Sequence, residues 1–361
     1  MLRWGFLGTA NIGRKNWKAI ARSGNGRVAA VASRSTDAAQ RYIDECQAEV
    51  PFANPPIAVG RYEALLERED VDAVYIPLPT AVRKNWVLKA AAAGKHVLCE
   101  KPVAITAEDA QEMITACGQH GVQFMDGVMF MHSQRLRRLR ETLTEIGPIR
   151  HIHSAFAFLG DDEFRRTNIR VQKQLEPHGC LGDLGWYNIR FTLWALDYQL
   201  PRQVIAHTHT ALTGEGGSGP VPGELSAELF FADGVSASFY CSFLTEIQQT
   251  AVITCQRGNV LLEDFVLPFY GNEVTYSRHQ HVFRSEGCRF HMRRHTQREV
   301  VDEYSDGEAS AQEVNMVRRF TDLAASGRTD PTWGMVTMAT QRVLDACAAS
   351  AAAGGRPTPV H

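Results

Sequence analysis

Three short stretches hold residue types at spacings from which chemistry can be built. Gly8-Thr9-Ala10-Asn11-Ile12-Gly13 brackets a small residue between two glycines. Such a turn lets the backbone approach a pyrophosphate, while the first amides and the dipole of a following helix supply donors and positive potential. Ala10 stands where this fingerprint has its middle glycine, which weakens the pattern without closing the approach. Ser33-Arg34-Ser35-Thr36 offers hydroxyls and a guanidinium, with no carboxylate before Asp37. Charge-assisted hydrogen bonds from such groups suit a 2′-phosphate, whereas an acidic residue would suit a ribose hydroxyl pair. The alternative for Arg34 is a solvated side chain capping a turn. In Glu100-Lys101-Pro102, a lysine restrained by a neighbouring proline could hydrogen-bond a substrate hydroxyl and share its proton if it stood near a nicotinamide. Only the surrounding elements can give that tripeptide a meaning.

Those elements read as a regular alternation. Arg3 to Leu7, Val28 to Ala32, Ala73 to Ile76, His96 to Cys99 and Gln123 to Gly127 predict strands. Between them, Ile12 to Arg22, Thr36 to Glu49, Arg61 to Glu67, Arg83 to Ala93 and Ala107 to His120 predict helices. Strands apolar on both faces that alternate with helices make a parallel sheet covered on both sides. The glycine turn then follows the first strand and opens the first helix, and Ser33-Arg34 ends the second strand. Glu100-Lys101-Pro102 falls at the carboxyl edge of the sheet, where ligands bind in such folds. A dinucleotide site is therefore expected in place of a plain tight turn, with NADP favoured over NAD.

Past Gly147-Pro148 the grammar changes to successive strands: Ile149 to Phe158, Val204 to Leu212, Glu224 to Phe231, Val235 to Phe243, Ala251 to Cys255 and Asn259 to Glu263. Hairpin-type turns such as Ala232-Asp233-Gly234 make this an antiparallel α+β domain. A helix from Asp183 to Leu196 interrupts it, and helices Gln312 to Ser326 and Trp333 to Ala353 close the chain. The expected division is a dinucleotide-binding domain over residues 1–126 and a substrate-binding and oligomerisation domain over 127–361, its last helices packing back toward the first domain.

Composition narrows the function classes. A chain of 361 residues is long enough for two domains, and 44% hydrophobic with 22% charged residues is the balance of a globular protein. A formal net charge of -2 gives no global field toward nucleic acid or anionic lipid. No apolar run resembles a signal peptide or a membrane span, so no membrane partner is expected. Eight scattered cysteines without a C-x-x-C pair read as reduced thiols in the cytoplasm.

The glycine turn near the N-terminus, Tyr75-Ile76-Pro77-Leu78-Pro79, Glu100-Lys101-Pro102 and Gly182-Asp183-Leu184-Gly185-Trp186-Tyr187 together resemble the Gfo/Idh/MocA oxidoreductases. The resemblance spans essentially the whole chain. Asn168-Ile169-Arg170-Val171 and the run from Gly182 to Arg190 look most similar to a branch that includes plant oxidoreductases. It implies an N-terminal Rossmann domain with a parallel sheet, and a C-terminal domain with a large, mostly antiparallel, open-faced sheet packing against another subunit in a homodimer or homotetramer. It implies cofactor contacts from the glycine turn, Ser33, Arg34, Pro77, Leu78, Pro79, Glu100 and Lys101. Lys101, Asp183 and Tyr187 would be the catalytic set: Tyr187 exchanges the proton, Lys101 lowers its pKa, and Asp183 orients the substrate or Lys101. Hydride would move between nicotinamide and a hydroxyl or carbonyl carbon of a sugar, polyol, diol or related small molecule. The rival is a non-enzymatic NADP-sensing regulator on the same fold, which would need the glycine turn but no proton relay.

Two departures from the family pattern stand out. Thr80-Ala81-Val82-Arg83 replaces Asn-x-x-His, and Asp126-Gly127-Val128-Met129-Phe130-Met131-His132 replaces another common segment, so the substrate does not carry over. His178 lies in the loop leading to Asp183 and is a candidate substrate contact; Arg170 could enter the same cleft or sit on a surface loop. The His-x-His pairs at His151/His153, His207/His209 and His279/His281 lack a third ligand, so no metal is expected. The arginine-rich stretch from Arg278 to Arg298 reads as a solvated β-region or a contact to an anionic partner, and nucleic acid is disfavoured.

Overall fold

A computed structural model describes residues 1–269, 273–305 and 307–361. The chain forms two compact units that are not consecutive in sequence. One contains Met1–His132, Gln174–Pro177 and Asp306–Gln341; the other contains Ser133–Lys173, His178–Ser305 and Arg342–His361.

The first unit is built on β1 (Leu2–Leu7), α1 (Ile12–Ser23), β2 (Gly26–Ala32), α2 (Thr36–Glu49), β3 (Ile57–Val59), α3 (Tyr62–Leu66), β4 (Ala73–Ile76), α4 (Thr80–Ala92), β5 (His96–Cys99), α5 (Ala107–Gln119) and β6 (Phe124–Asp126). All six strands are parallel, in the order β3-β2-β1-β4-β5-β6. This is the doubly wound dinucleotide-binding order, with its switch point between β1 and β4. The short β3, absent from the sequence expectation, completes it. Phe6, Val31, Val74, Tyr75 and Leu98 are buried because helices cover both faces. Ser35 caps α2 by accepting from the Ala38 amide (3.2 Å), and Thr106 caps α5 through Asp109 (3.2 Å).

Two helices far along the chain complete this unit. They are α9, which covers Gln312–Ala325, and the part of α10 up to Gln341, within Thr332–Ala352. Phe320 meets Trp4 with ring centroids 4.9 Å apart, and Thr337 donates to buried Asp126 at 2.9 Å.

In the second unit α6 (Gln134–Ile146), β7 (Ile149–Leu159) and α7 (Asp162–Thr167) come first. A π-helical turn, Leu181–Gly185, leads into α8 (Trp186–Ala195). The strands that follow are β8 (Gln203–Leu212), β9 (Val221–Phe230), β10 (Ser236–Ser242), β11 (Leu244–Cys255), β12 (Gly258–Leu262), β13 (Val274–His279), β14 (Val282–Glu286), β15 (Arg289–Arg293), β16 (Thr296–Val301) and β17 (Thr358–Pro359). Nine of the unit's strands form one sheet, β16-β13-β12-β11-β7-β10-β9-β8-β17, in which β7 and β10 pair in parallel and the other neighbours pair antiparallel. Every residue of α8 is buried, and Asn188 donates to Ser154 of β7 at 2.9 Å, so α8 lies on one face of the sheet. The single helix expected from Asp183 instead starts with the wider π turn. The arginine-rich stretch forms β13 to β16, with β14 and β15 pairing only with each other. No helix among the described residues is long and apolar enough to cross a membrane.

A buried ion pair holds α6 to this unit. Arg135 pairs with the Asp264 carboxylate and donates to the carbonyls of Asp264 (2.7 Å) and Thr275 (3.2 Å). Replacing Arg135 by Met leaves Asp264 without its counter-charge and should cost about 3–5 kcal/mol in urea unfolding. Adding Asp264→Asn should recover part of that loss, whereas equal losses in single and double variants would mean that packing alone is responsible.

Candidate functional site

The nucleotide half of the candidate site lies at the carboxyl edge of the first unit's sheet. Gly8 has φ +121°, and a Cβ there would stand 3.1 Å from Leu78 Cδ2. A Cβ at Gly13 would fall 2.6 Å from the Tyr42 hydroxyl, so any larger residue would have to displace that phenol. Burial holds the Tyr42 phenol well above its ordinary value, and its hydroxyl donates to the Ala10 carbonyl at 3.4 Å. Asn11 and Ile12 open α1 behind this turn.

Ser33 is buried, its amide bonded to Val59 (3.0 Å), while Arg34 is exposed. Burial raises the Tyr62 phenol, and the charge of Arg34 opposes that rise. The Tyr62 hydroxyl in turn lies 3.9 Å from the point where a Gly8 Cβ would stand. The open glycine cradle, the start of α1 and the exposed Arg34 just after β2 lie at the carboxyl ends of neighbouring strands, and this donor set fits a dinucleotide carrying an extra phosphate. Tyr62 was not singled out in the sequence, because nothing local links it to Gly8.

The adjacent loops are fixed by a buried arginine. Arg83, in the first turn of α4, donates through Nε to the Leu78 carbonyl (3.0 Å), and through Nη1 to the Pro102 carbonyl and to Thr80 Oγ1 (3.3 Å). One guanidinium thus ties Pro77-Leu78-Pro79 to Glu100-Lys101-Pro102. The Lys101–Pro102 peptide is cis. Glu100 is buried: Tyr75 donates to its Oε1 at 2.7 Å and the Lys101 amide to its Oε2 at 3.2 Å. Burial, then the Glu100 charge, push the Tyr75 phenol far above its ordinary value. Glu176 caps α4, accepting from the Thr80 amide (2.9 Å) and Thr80 Oγ1 (2.6 Å), while Ala81 donates to Leu175 (3.1 Å). The segment just before His178 is thereby anchored within the first unit.

The remaining candidates belong to the second unit. Asp183 sits in the π turn, and its Oδ2 pairs with Arg170 Nε at 2.7 Å. Asn168 accepts from the Arg170 amide (3.1 Å) and Nη1 (3.5 Å). Tyr187, in the first turn of α8, is buried with its ring edge-on to Phe156 at 5.5 Å. The His178 carbonyl accepts from Gly182 (3.1 Å), and a Cβ at Gly179 would overlap the Pro222 carbonyl oxygen at 2.2 Å, so this loop lies flush against β9. The structure thus brings Arg170 to Asp183, a pairing the sequence had not suggested. Among the described residues no group of three or more His, Cys, Asp or Glu side chains could hold a metal.

The comparisons with known proteins agree with this architecture. Residues 2–128 match the oxidoreductase family with an NAD-binding Rossmann fold, and residues 134–261 match the GFO/IDH/MocA C-terminal domain. The chain belongs to the Gfo/Idh/MocA oxidoreductase family. It is 34% identical to D-xylose 1-dehydrogenase (NADP(+)) 2 of Haloferax volcanii over 52% of this chain and 55% of that protein. It is 28% identical to trans-1,2-dihydrobenzene-1,2-diol dehydrogenase of Mus musculus over 74% and 76%. A structure of a 3-ketoreductase from Actinomadura kijaniata, in complex with NADP and TDP-benzene, superposes with a TM-score of 0.80 at 25% identity, covering 97% of each chain. The chain spans about half the length of the first of these curated Gfo/Idh/MocA relatives.

The Arg83 clamp is testable. Arg83→Met should lower stability by about 1.5–3 kcal/mol, the usual range for hydrogen bonds to a charged group. Arg83→Lys should recover little of it, because an ammonium cannot span two carbonyls as a planar fork does. Full recovery in Arg83→Lys during urea unfolding would show that charge, and not the fork, is what matters.

Proposed function

We propose that this chain is an NADP-dependent oxidoreductase acting on a hydroxyl or carbonyl carbon of a sugar, polyol, diol or related small molecule. The observation that carries this reading is the single sheet edge at which the Gly8 turn after β1, Arg34 after β2, and the clamped Lys101 loop after β5 occur together. Relatives named as a xylose dehydrogenase and a dihydrodiol dehydrogenase support the substrate class, and a matched structure holding NADP supports the cofactor.

Residues Gly8 to Gly13 hold the pyrophosphate, Ser33 and Arg34 hold the 2′-phosphate, and Pro77, Leu78, Pro79 and the Glu100-Lys101 turn border the nicotinamide end. When bound, the nicotinamide supplies the acceptor or donor of a hydride. Tyr187 gives or takes the proton of the reacting oxygen, a role worth about 10²–10⁴-fold in rate. Lys101 hydrogen-bonds the same oxygen and the cofactor ribose. Asp183, ion-paired with Arg170, keeps that arginine and the π turn in place, and Arg170 and His178 contact the substrate. The open face of the nine-stranded sheet supports a homodimer or homotetramer, and eight cysteines in no disulfide support a cytoplasmic location.

Two experiments test the reading. In a panel of sugars, polyols and diols followed by nicotinamide absorbance, turnover with NADP is expected; tight NADP binding without turnover on any of them would favour the sensor reading. Arg34→Asp should weaken NADP binding by about tenfold or more, since a charge-assisted contact is worth about 1.5–3 kcal/mol. Equal or tighter binding of NAD by the unaltered protein would refute the NADP preference.

A second prediction concerns the proton. Tyr187→Phe should lower kcat by about 10²-fold with NADP binding unchanged, and Lys101→Ala should do similar damage. The double variant should be little worse than either single one, because groups that act as a unit are not additive. Near-normal turnover in both single variants would overturn these roles.

A further inference from the structure

Glu100 is a buried acid held only by neutral groups. Its two oxygens take the Tyr75 hydroxyl at 2.7 Å and the Lys101 amide at 3.2 Å, and the residue is 6% exposed. The direction of the first bond is fixed from behind. Asn16, buried on α1, hydrogen-bonds the Tyr75 hydroxyl, and because its Oδ1 has no partner the bond comes from its amide nitrogen. The one proton of the phenol is therefore directed to Glu100. On its other side the carboxylate lies against the backbone of Gly127, where a Cβ would stand 3.1 Å from Oε1 and 3.4 Å from Oε2. No side chain at 127 can add a donor without displacing the carboxylate.

None of these contacts supplies a counter-charge. Among the described residues Glu100 forms no ion pair. Arg83 spends its guanidinium on the Leu78 and Pro102 carbonyls and on Thr80. Asp126, opposite Cys99 in the β5–β6 ladder, is a second buried acid, so the neighbouring strand adds no compensation. Other buried acids of this chain are treated differently: Glu313 has Lys15 at 3.7 Å, and Glu299 has Arg138 at 3.4 Å. An ionised group removed from water without a partner of opposite charge is costly, and proteins keep such exceptions at functional sites.

Topology says what could supply the missing charge. In the sheet order β1 is followed by β4 and β4 by β5. A dinucleotide with its pyrophosphate at the Gly8 turn and its adenosine toward Arg34, after β2, extends its other half across the switch point to the ends of β4 and β5. Tyr75 and Glu100 stand there. The nicotinamide ring at that end is a cation when oxidised and neutral when it carries the hydride. A fixed anion attracts the first form and is nearly indifferent to the second.

We infer that the uncompensated Glu100 carboxylate sets the preference of this site between oxidised and reduced cofactor, favouring oxidised NADP. This deepens, and rests on, the dinucleotide reading given under the proposed function. Binding and reduction form one thermodynamic cycle, so each tenfold of preference for the oxidised form makes the bound couple a stronger reductant by about 30 mV.

The test measures dissociation constants of the full chain for oxidised NADP, NADPH and 2′-phospho-ADP-ribose, which lacks the nicotinamide ring, by titration calorimetry. Glu100→Gln should weaken oxidised NADP by about tenfold relative to NADPH and leave 2′-phospho-ADP-ribose unchanged. Glu100→Asp, which keeps the charge, should hold the ratio within about threefold of wild type. Tyr75→Phe combined with Glu100→Gln removes the hydroxyl that the new amide would face, and the same tenfold shift is expected there should the single variant fail to fold. Equal weakening of all three ligands by Glu100→Gln would mean that the side chain only shapes the loop. An unchanged ratio, or an equal loss in the Asp and Gln variants, would show that the ring does not feel the charge. Each of these results overturns the inference and leaves the dinucleotide reading standing, whereas a wild-type chain that binds none of the three ligands would remove both.

Discussion

One buried guanidinium fixes the edge on which the candidate site depends. In a parallel sheet the segments after each strand are connections, and neighbouring connections need no bond to one another. Here Arg83 donates to carbonyls after β4 and after β5, so two such segments keep one relative position. The cation itself is taken out of water, which is costly unless its donors are satisfied. Four acceptor contacts, two from the Leu78 carbonyl and one each from Pro102 and Thr80, meet that need. Glu100 serves from below, holding Tyr75 and the Lys101 amide with its two oxygens. The lysine loop is thus set by side chains on β4, on α4 and in the loop itself.

The second unit uses a comparable device with partly buried partners. Asp183 lies in a turn wound wider than an α-helix, and such turns recur at functional sites because they aim side chains that regular geometry would direct elsewhere. The Arg170 pair gives that carboxylate a fixed partner, and Asn168 holds the arginine in turn. Arg170 is part exposed, so this pair contributes little to stability. What it does is constrain orientation.

How much of this the sequence disclosed follows from the range of the interactions involved. β4 and β5 coincide with the strands expected from their apolar runs, because strands buried on both faces advertise themselves. Ile57-Ala58-Val59 escaped notice as a strand of three residues that is only partly buried. In α6 the core-facing Leu136, Leu139, Leu143 and Ile146 stand at helical spacing, but four arginines in the same segment dilute the apolar stripe, and the sequence reading places no helix there. The positions of candidate residues at a turn or strand end were legible because such positions follow from local backbone pattern. The parts played by Arg83, Glu176 and Tyr62 were not, since each depends on a contact with a distant stretch of chain: Glu176 reaches Thr80 across 96 residues. The π turn was hidden for a related reason, because spacing alone presumes α-helical winding.

The composition of the first unit has an energetic consequence. Its sheet is made by the first third of the chain, yet Trp4 is packed by Phe320, Asn25 donates to the Arg318 carbonyl (3.1 Å), and Gln123 bonds to the backbone of Asp330 in both directions (3.2 and 2.7 Å). Without α9 the apolar residues on that side of β1 and α1 would meet water, at a cost of about 25 cal/mol for each Å² uncovered. Residues 307–341 are therefore part of the body that holds the glycine turn. A ligand that binds only the folded form of a cooperative body stabilises all of it, by an amount fixed by its concentration relative to Kd. A nucleotide bound at the turn, as proposed, would thus be coupled to order in α9, although the two lie about 300 residues apart in sequence.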